Sequence, residues 1–215
     1  MIEAVIFDLD GTLLDTCDDL GAALNYTLKL HNKPCVPKDI YSPAISNGVQ
    51  ALLEVGFQEE LVNYELATLK QTLLDHYAQN IAVHSRCFKG IKTLLEEIER
   101  KGIKVGIMTN KPTFLTLPLL ECIDELKSIK VVVCGDTLDE AKPSPKPLLH
   151  AAKQLGVQPS ACFYVGDAAR DIEAAKAANM LSVTALWGYV PSKAVAQSWQ
   201  ADLNLTKPES LISHI

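Results

Sequence analysis

The chain has 215 residues, 48% hydrophobic and 21% charged, with a formal net charge of −6. That length and balance suit a globular protein with one sizeable domain, or a core plus a small accessory domain. An acidic chain offers no global basic surface for nucleic acid or anionic membrane, and no segment approaches the roughly 18 apolar residues of a membrane span.

The run IEAVIF at 2–7 is short, apolar and rich in β-branched residues, and the turn former Asp10-Gly11 follows, which predicts a buried strand. From Thr16 onward Leu20, Leu24 and Leu28 recur at helical spacing. Asp18 and Asp19 fall in the first turn, where the helix dipole favours acids. Pro34 and Pro37 interrupt the pattern; a second helix is expected after Gly48, and a third from near Glu59 to about Ala82. The rest alternates. Helix 89–101 closes at Gly102, strand 103–108 follows, and Pro112 opens another helix. Then come strand KVVVC, helix 145–155 ending at Gly156, strand ACFYV, helix 170–178 and strand LSVTAL. Strands alternating with helices predict a three-layer, Rossmann-like α/β fold with a parallel sheet covered on both faces. The expected division is 1–15 with 84–215 as the α/β core, and 16–83 as an inserted small helical domain.

The six cysteines are scattered without a CxxC pair, and the five histidines show no HExxH spacing. The scattered cysteines suit a reducing cytoplasm, and neither set offers metal-ligand spacing. No signal peptide is expected at the N-terminus.

Open parallel sheets bind ligands beyond the carboxyl ends of their strands. Asp8-Leu9-Asp10-Gly11-Thr12 follows the first predicted strand, and Thr109-Asn110-Lys111 follows the second. The third leads to Lys142, and the fourth to Gly166-Asp167-Ala168-Ala169-Arg170-Asp171. Each has an ordinary reading: Asp-Gly as a turn, Thr109 and Asp171 as helix caps, Lys142 as a solvated loop residue, Arg170 as half of a surface ion pair. An EF-hand reading of DLDG fails for want of the later Gly and Glu. What the ordinary readings do not explain is why all four strand ends bring such groups to one rim.

DLDGT, an apolar strand ending in Thr109, Lys142-Pro143 and the GDxxxD of 166–171 resemble the haloacid dehalogenase superfamily, in its phosphatase branch. KPSPKP, VGDAARD and Trp187-Gly188-Tyr189 are similar to phosphoglycolate phosphatases. HYAQNIAVHSRCFKGI (76–91), ISNGVQAL (45–52) and SWQAD (198–202) look like bacterial N-acetylmuramic acid 6-phosphate phosphatases. The helical insert looks like that superfamily's small cap. Asn179 stands where the family usually has glycine, and Asn tolerates the left-handed conformation needed there.

The resemblance implies a phosphomonoesterase in which Asp8 attacks phosphorus and forms an aspartyl phosphate. Mg²⁺ would be held by Asp8, Asp167 and the Asp10 main-chain carbonyl, with Asp171 orienting the site. Asp10 would protonate the leaving group and later activate water; repulsion from Asp8 is expected to help it keep a proton. Thr109 and the Asn110 amide would donate to the phosphoryl oxygens, and Lys142 would supply positive charge. Ser46, Asn47 and Gly48 are the cap candidates for reading the leaving group, with Arg86 a weaker one for a substrate carboxylate. The expected partner is a small phosphorylated metabolite, 2-phosphoglycolate or N-acetylmuramic acid 6-phosphate. No nucleic acid or membrane partner is expected, and the chain is expected to be a monomer or homodimer. A phosphomutase, or a non-catalytic binding protein on the same fold, are the alternatives.

Overall fold

The computed structural model describes residues 1–215. Ala4–Phe7 form β1, and all four residues are fully buried. Side chains alternate along a strand, so such a strand needs cover on both faces. Val5 and Phe7 pack in one apolar layer, Ala4 and Ile6 in the other. Each fully buried Ile, Val or Phe contributes about 2 kcal/mol by the area rule.

The chain then runs through β2 (Leu14–Asp15), α1 (Cys17–Leu30), α2 (Lys38–Tyr41), α3 (Gly48–Phe57) and α4 (Leu66–Gln79) to β3 (Arg86–Cys87). After β3 come α5 (Ile91–Arg100), β4 (Lys104–Met108), α6 (Thr113–Glu121), β5 (Val131–Val133), α7 (Lys146–Leu155) and β6 (Cys162–Gly166). The last elements are α8 (Ala169–Ala177), β7 (Leu181–Ala185), α9 (Lys193–Ser198) and β8 (Leu203–Leu205). Six strands form one sheet in the order β5-β4-β1-β6-β7-β8. Every pairing in it is parallel.

The predicted three-layer α/β fold is therefore observed. Ile91, Leu94 and Ile98 of α5 cover one face of the sheet with Leu119 of α6. Leu148 and Ala151 of α7 cover the other with Ala174 and Ala175 of α8. Left-handed Gly102 and Gly156 end α5 and α7 as expected, and Asn179 takes φ 56° after α8.

The helices α1 to α4 share an apolar core of their own, centred on Leu24, Leu28, Leu52, Leu53, Leu69 and Leu73. They leave and rejoin the sheet through the antiparallel ribbon β2–β3, in which Leu14 faces Cys87 and Asp15 faces Arg86. Asp19 fastens this junction. Its carboxylate accepts from the main-chain N–H of His84 (2.9 Å) and Ser85 (2.9 Å) and from the Ser85 hydroxyl (2.6 Å).

The structure departs from the sequence reading in several places: the short elements β2, β3, α2 and α9 were not expected. The helix expected from Glu59 to Ala82 is split into a 3₁₀ segment, Gln58–Asn63, and α4. The extended backbone at Tyr64 separates them and sets its ring edge-on against Phe57 and His31. The strand β8 was not predicted either; it pairs with β7 at the sheet edge. No helix is long and apolar enough to cross a membrane.

Candidate active site

β1, β4 and β6 are neighbours in the sheet, so their carboxyl ends meet. Asp8 leaves β1, Thr109 leaves β4, and Asp167 leaves β6. The geometry brings Asp8, Asp167 and Asp171 together: one oxygen from each lies within 4.8 Å of the others, and all three residues are buried. Lys142 is the buried counter-charge. Its Nζ lies 2.9 Å from Asp8 Oδ2 and 2.7 Å from Asp171 Oδ1, and donates to the Tyr164 hydroxyl at 2.8 Å. An ammonium buried this deeply is tolerated only because anions and acceptors surround it.

The three carboxylates are not equivalent. Asp171 is committed, with Oδ1 on Lys142 and Oδ2 accepting from the Ala168 N–H at 2.9 Å. Burial raises its pKa, opposed by Lys142 and reinforced by Asp8. Asp167 accepts at Oδ2 from the Ser46 hydroxyl (2.6 Å) and the Tyr189 N–H (2.9 Å), while its buried Oδ1 has no partner. Burial, then the charges of Asp171 and Asp8, push the Asp167 carboxyl up to about 7. A buried oxygen without a donor, among carboxylates that repel one another, fits a hard divalent cation with oxygen ligands. Asp167 offers the unpartnered oxygen for one; Asp8, whose Oδ1 accepts from the Leu9 N–H at 2.8 Å, lines the cleft beside it, and Asp171 is placed to brace Lys142.

Two glycines make this approach possible. Gly11 sits at φ 78°, and a Cβ there would lie 2.1 Å from Asp167 Oδ2. A Cβ on Gly188 would lie 2.0 Å from the Gly11 carbonyl oxygen.

A cleft of about 150 Å³ opens over this cluster, floored by Asp8, Asp10, Thr109 and Asn110. Leu20, Ile45, Val49, Leu52 and Leu74 wall it from the helical side. Thr109 is buried, and its hydroxyl oxygen accepts from the Lys111 N–H at 3.2 Å. The Asn110 side chain is spent on a two-way clamp to the Lys142 main chain, each bond 3.0 Å. Ser46 and Gly48 line the cleft, whereas Asn47 does not and is exposed to solvent. The expected trio is thus divided, because the turn at 46–48 points Ser46 inward to Asp167. Arg86 is exposed on β3 and lies away from the cleft.

The Asp10 carboxylate does not simply face Asp8. It accepts from the Thr16 hydroxyl at 2.7 Å and from Lys111 Nζ at 3.2 Å to each oxygen. Lys111 was visible in the Thr109-Asn110-Lys111 strand end but carried no expected role. Its side chain is 5% exposed, and Nζ also donates to the Tyr77 hydroxyl at 3.0 Å and sits 4.3 Å from the Tyr77 ring centre. Burial works to lower the Lys111 pKa, but Asp10 and Tyr77 outweigh it and leave the pKa raised. Tyr77 gave no signal beyond a core position on a helix. Arg170, expected in a surface ion pair, instead donates to the Ser46 carbonyl. Asp15 lies in β2 and accepts from the Tyr189 hydroxyl at 2.6 Å.

A parallel sheet carrying carboxylates, a threonine and a buried lysine at its strand ends defines a class of α/β hydrolytic enzymes. Residues 5–185 match the family described as haloacid dehalogenase-like hydrolases, and the chain belongs to that family. It is a phosphoric monoester hydrolase by class, in keeping with relatives that are named phosphatases. It is 40% identical over 208 residues to a phosphoglycolate phosphatase of Xanthomonas campestris pv. campestris (strain 8004), covering 97% of this chain and 94% of the relative. It is 36% identical over 211 residues to the N-acetylmuramic acid 6-phosphate phosphatase of Pseudomonas aeruginosa, covering 98% and 93%. Among solved structures, a predicted phosphoglycolate phosphatase from Haemophilus somnus 129pt superposes with a TM-score of 0.88 at 26% identity, covering 99% of this chain and 97% of that one.

Proposed function

We propose that the chain is a Mg²⁺-dependent phosphomonoesterase that hydrolyses a small phosphorylated metabolite through an aspartyl phosphate on Asp8. The candidate substrates are 2-phosphoglycolate and N-acetylmuramic acid 6-phosphate. The observation that carries this reading is the buried Asp8–Lys142–Asp171 array beside the unpartnered oxygen of Asp167. Nothing in packing alone favours three carboxylates in so small a buried volume.

Asp8 is the nucleophile in this account. Lys142 holds its carboxylate in place at 2.9 Å, and stands ready to offset charge on the transferring group. Asp8, Asp167 and the Asp10 main-chain carbonyl would hold the cation, which would screen the carboxylate from the incoming phosphate dianion. The Thr109 hydroxyl and the Asn110 main-chain N–H donate to phosphoryl oxygens. The Asn110 side chain supports them indirectly by fixing the Lys142 backbone.

Asp10 supplies and later recovers the leaving-group proton. With Thr16 and Lys111 donating to it, it is arranged as an acceptor. Giving a proton therefore requires it to let go of at least one of them. Residues 16–83 act as a cap that excludes water and contacts the leaving group. Contacts from Ser46 to Asp167 and from Tyr77 to Lys111 support that reading.

Release of inorganic phosphate from p-nitrophenyl phosphate, with and without Mg²⁺, tests the proposal. Turnover abolished by EDTA supports it, and metal-independent turnover at the same rate counts against it. A panel with 2-phosphoglycolate and N-acetylmuramic acid 6-phosphate then separates the two substrates.

A further inference from the structure

The cleft is apolar on its helical side, so a charged substituent on the leaving group must find its partner elsewhere. Besides Asp8 and Asp10, the charged side chains that line it are Lys111 and Arg170. Arg170 is engaged with the carbonyl of Ser46, next to Asp167 and hence on the phosphoryl side. Lys142, the cation of the nucleophile, does not line the cleft. Lys111 differs from both: it touches Asp10, the residue that must reach the leaving oxygen, and makes no ion pair with Asp8.

Its placement is fixed from two sides. Asp10 holds the ammonium from the sheet, and the fully buried Tyr77 holds it from α4 through a hydrogen bond and the ring face. An ammonium has three N–H donors, and these two side chains are the ones it meets. The helical side of the wall is mostly leucine, isoleucine and valine, with Ser46 turned to Asp167. In such surroundings a charge pair is strong and an unmatched charge is costly.

We propose that Lys111 is a specificity-determining residue: it pairs with a carboxylate carried by the leaving group, close to the ester oxygen, and so selects acidic alcohol phosphates over neutral ones. This rests on the phosphomonoesterase reading and deepens it. 2-Phosphoglycolate bears such a group one carbon from its ester oxygen; in N-acetylmuramic acid 6-phosphate the lactyl carboxylate hangs from O3, far along the sugar from the ester at O6, so the pairing fits the former.

The test compares kcat/KM for 2-phosphoglycolate with that for 2-hydroxyethyl phosphate, in which a neutral CH₂OH replaces the carboxylate. The ratio is the informative quantity, because a disturbance of Asp10 slows both esters alike. The wild type is expected to prefer the acid, and Lys111→Met to shrink that preference at least tenfold, mainly through KM. Lys111→Arg should recover part of it. An unchanged ratio in Lys111→Met, or no preference in a wild type that hydrolyses p-nitrophenyl phosphate, would overturn the proposal. A wild type inert towards every phosphomonoester defeats the enzymatic reading itself, which is a distinct result. If Lys111→Met does not fold, inhibition of the wild type decides: 3-phosphonopropionate must bind at least tenfold tighter than 3-hydroxypropylphosphonate, and equal inhibition refutes the pairing.

Discussion

Ser46 Oγ donates a 2.6 Å hydrogen bond to Asp167 Oδ2, joining residues 121 positions apart. Arg170 grips the same turn by its carbonyl. The helical insert is thus closed on the acidic cluster, and Asp167 is where insert, sheet and the proposed cation meet.

Asp167 gives a pH prediction. Its carboxyl is raised from 3.8 to about 7, so between those values the metal-free folded state keeps a proton that the unfolded state has released. The group's contribution is neutral below 3.8 and becomes destabilising as pH rises to about 7. Metal-free Asp167→Asn should therefore melt above the wild type at about pH 7.5, with the difference fading towards about pH 4. Mg²⁺ should raise the wild-type melting temperature, more at about pH 7.5 than at about pH 5, and leave the variant unmoved. Parallel melting curves for the two proteins across this range would count against the assignment.

Gly11 is constrained twice, by its φ of 78° and by the 2.1 Å that would separate a new Cβ from Asp167. Gly11→Ala should lower Mg²⁺ affinity by about ten- to a hundredfold, by displacing a ligand rather than removing it. Titration of activity against Mg²⁺ reads this shift; an unaltered curve would show that the loop can yield.

The part assigned to Asp10 depends on how badly the leaving group needs a proton. Asp10→Asn should slow alkyl phosphates by about 10²- to 10⁴-fold, and p-nitrophenyl phosphate by roughly tenfold or less. Equal losses on both would remove Asp10 from general acid catalysis.

At the junction of insert and sheet, Asp19→Ala strips acceptors from the His84 and Ser85 N–H groups and the Ser85 hydroxyl. A stability loss of about 3 kcal/mol is expected, from hydrogen bonds to a charged acceptor whose donors are left in a partly buried site. Urea unfolding measures it, and a loss under about 1 kcal/mol would mean that water replaces the carboxylate.

The sheet was legible because apolar runs such as IEAVIF and ACFYV end in polar residues whose types rarely belong at a buried rim. Sequence order placed Asp8, Thr109, Lys142 and Asp167 at successive strand ends, and the parallel topology brought those ends together. Lys111 and Tyr77 escaped notice because their meeting depends on how α4 packs over the cleft, which no local pattern encodes. The same is true of the partners of Asp10, Thr16 and Lys111, which come from the insert's first residues and from the turn after β4. The strand β8 was too short to show alternation, and the break at Tyr64 reflects ring packing with Phe57 and His31 rather than a helix-breaking residue.

Whether Asp8 attacks phosphorus can be read directly from its amide variant. Phosphate release from 2-phosphoglycolate and from N-acetylmuramic acid 6-phosphate, in saturating Mg²⁺, should be compared between wild type and Asp8→Asn, with folding checked by circular dichroism. Turnover of at least one ester by the wild type is expected, with a fall of about a thousandfold or more in the variant, since an amide cannot replace the carboxylate nucleophile. Substantial turnover by a folded Asp8→Asn would contradict attack by Asp8.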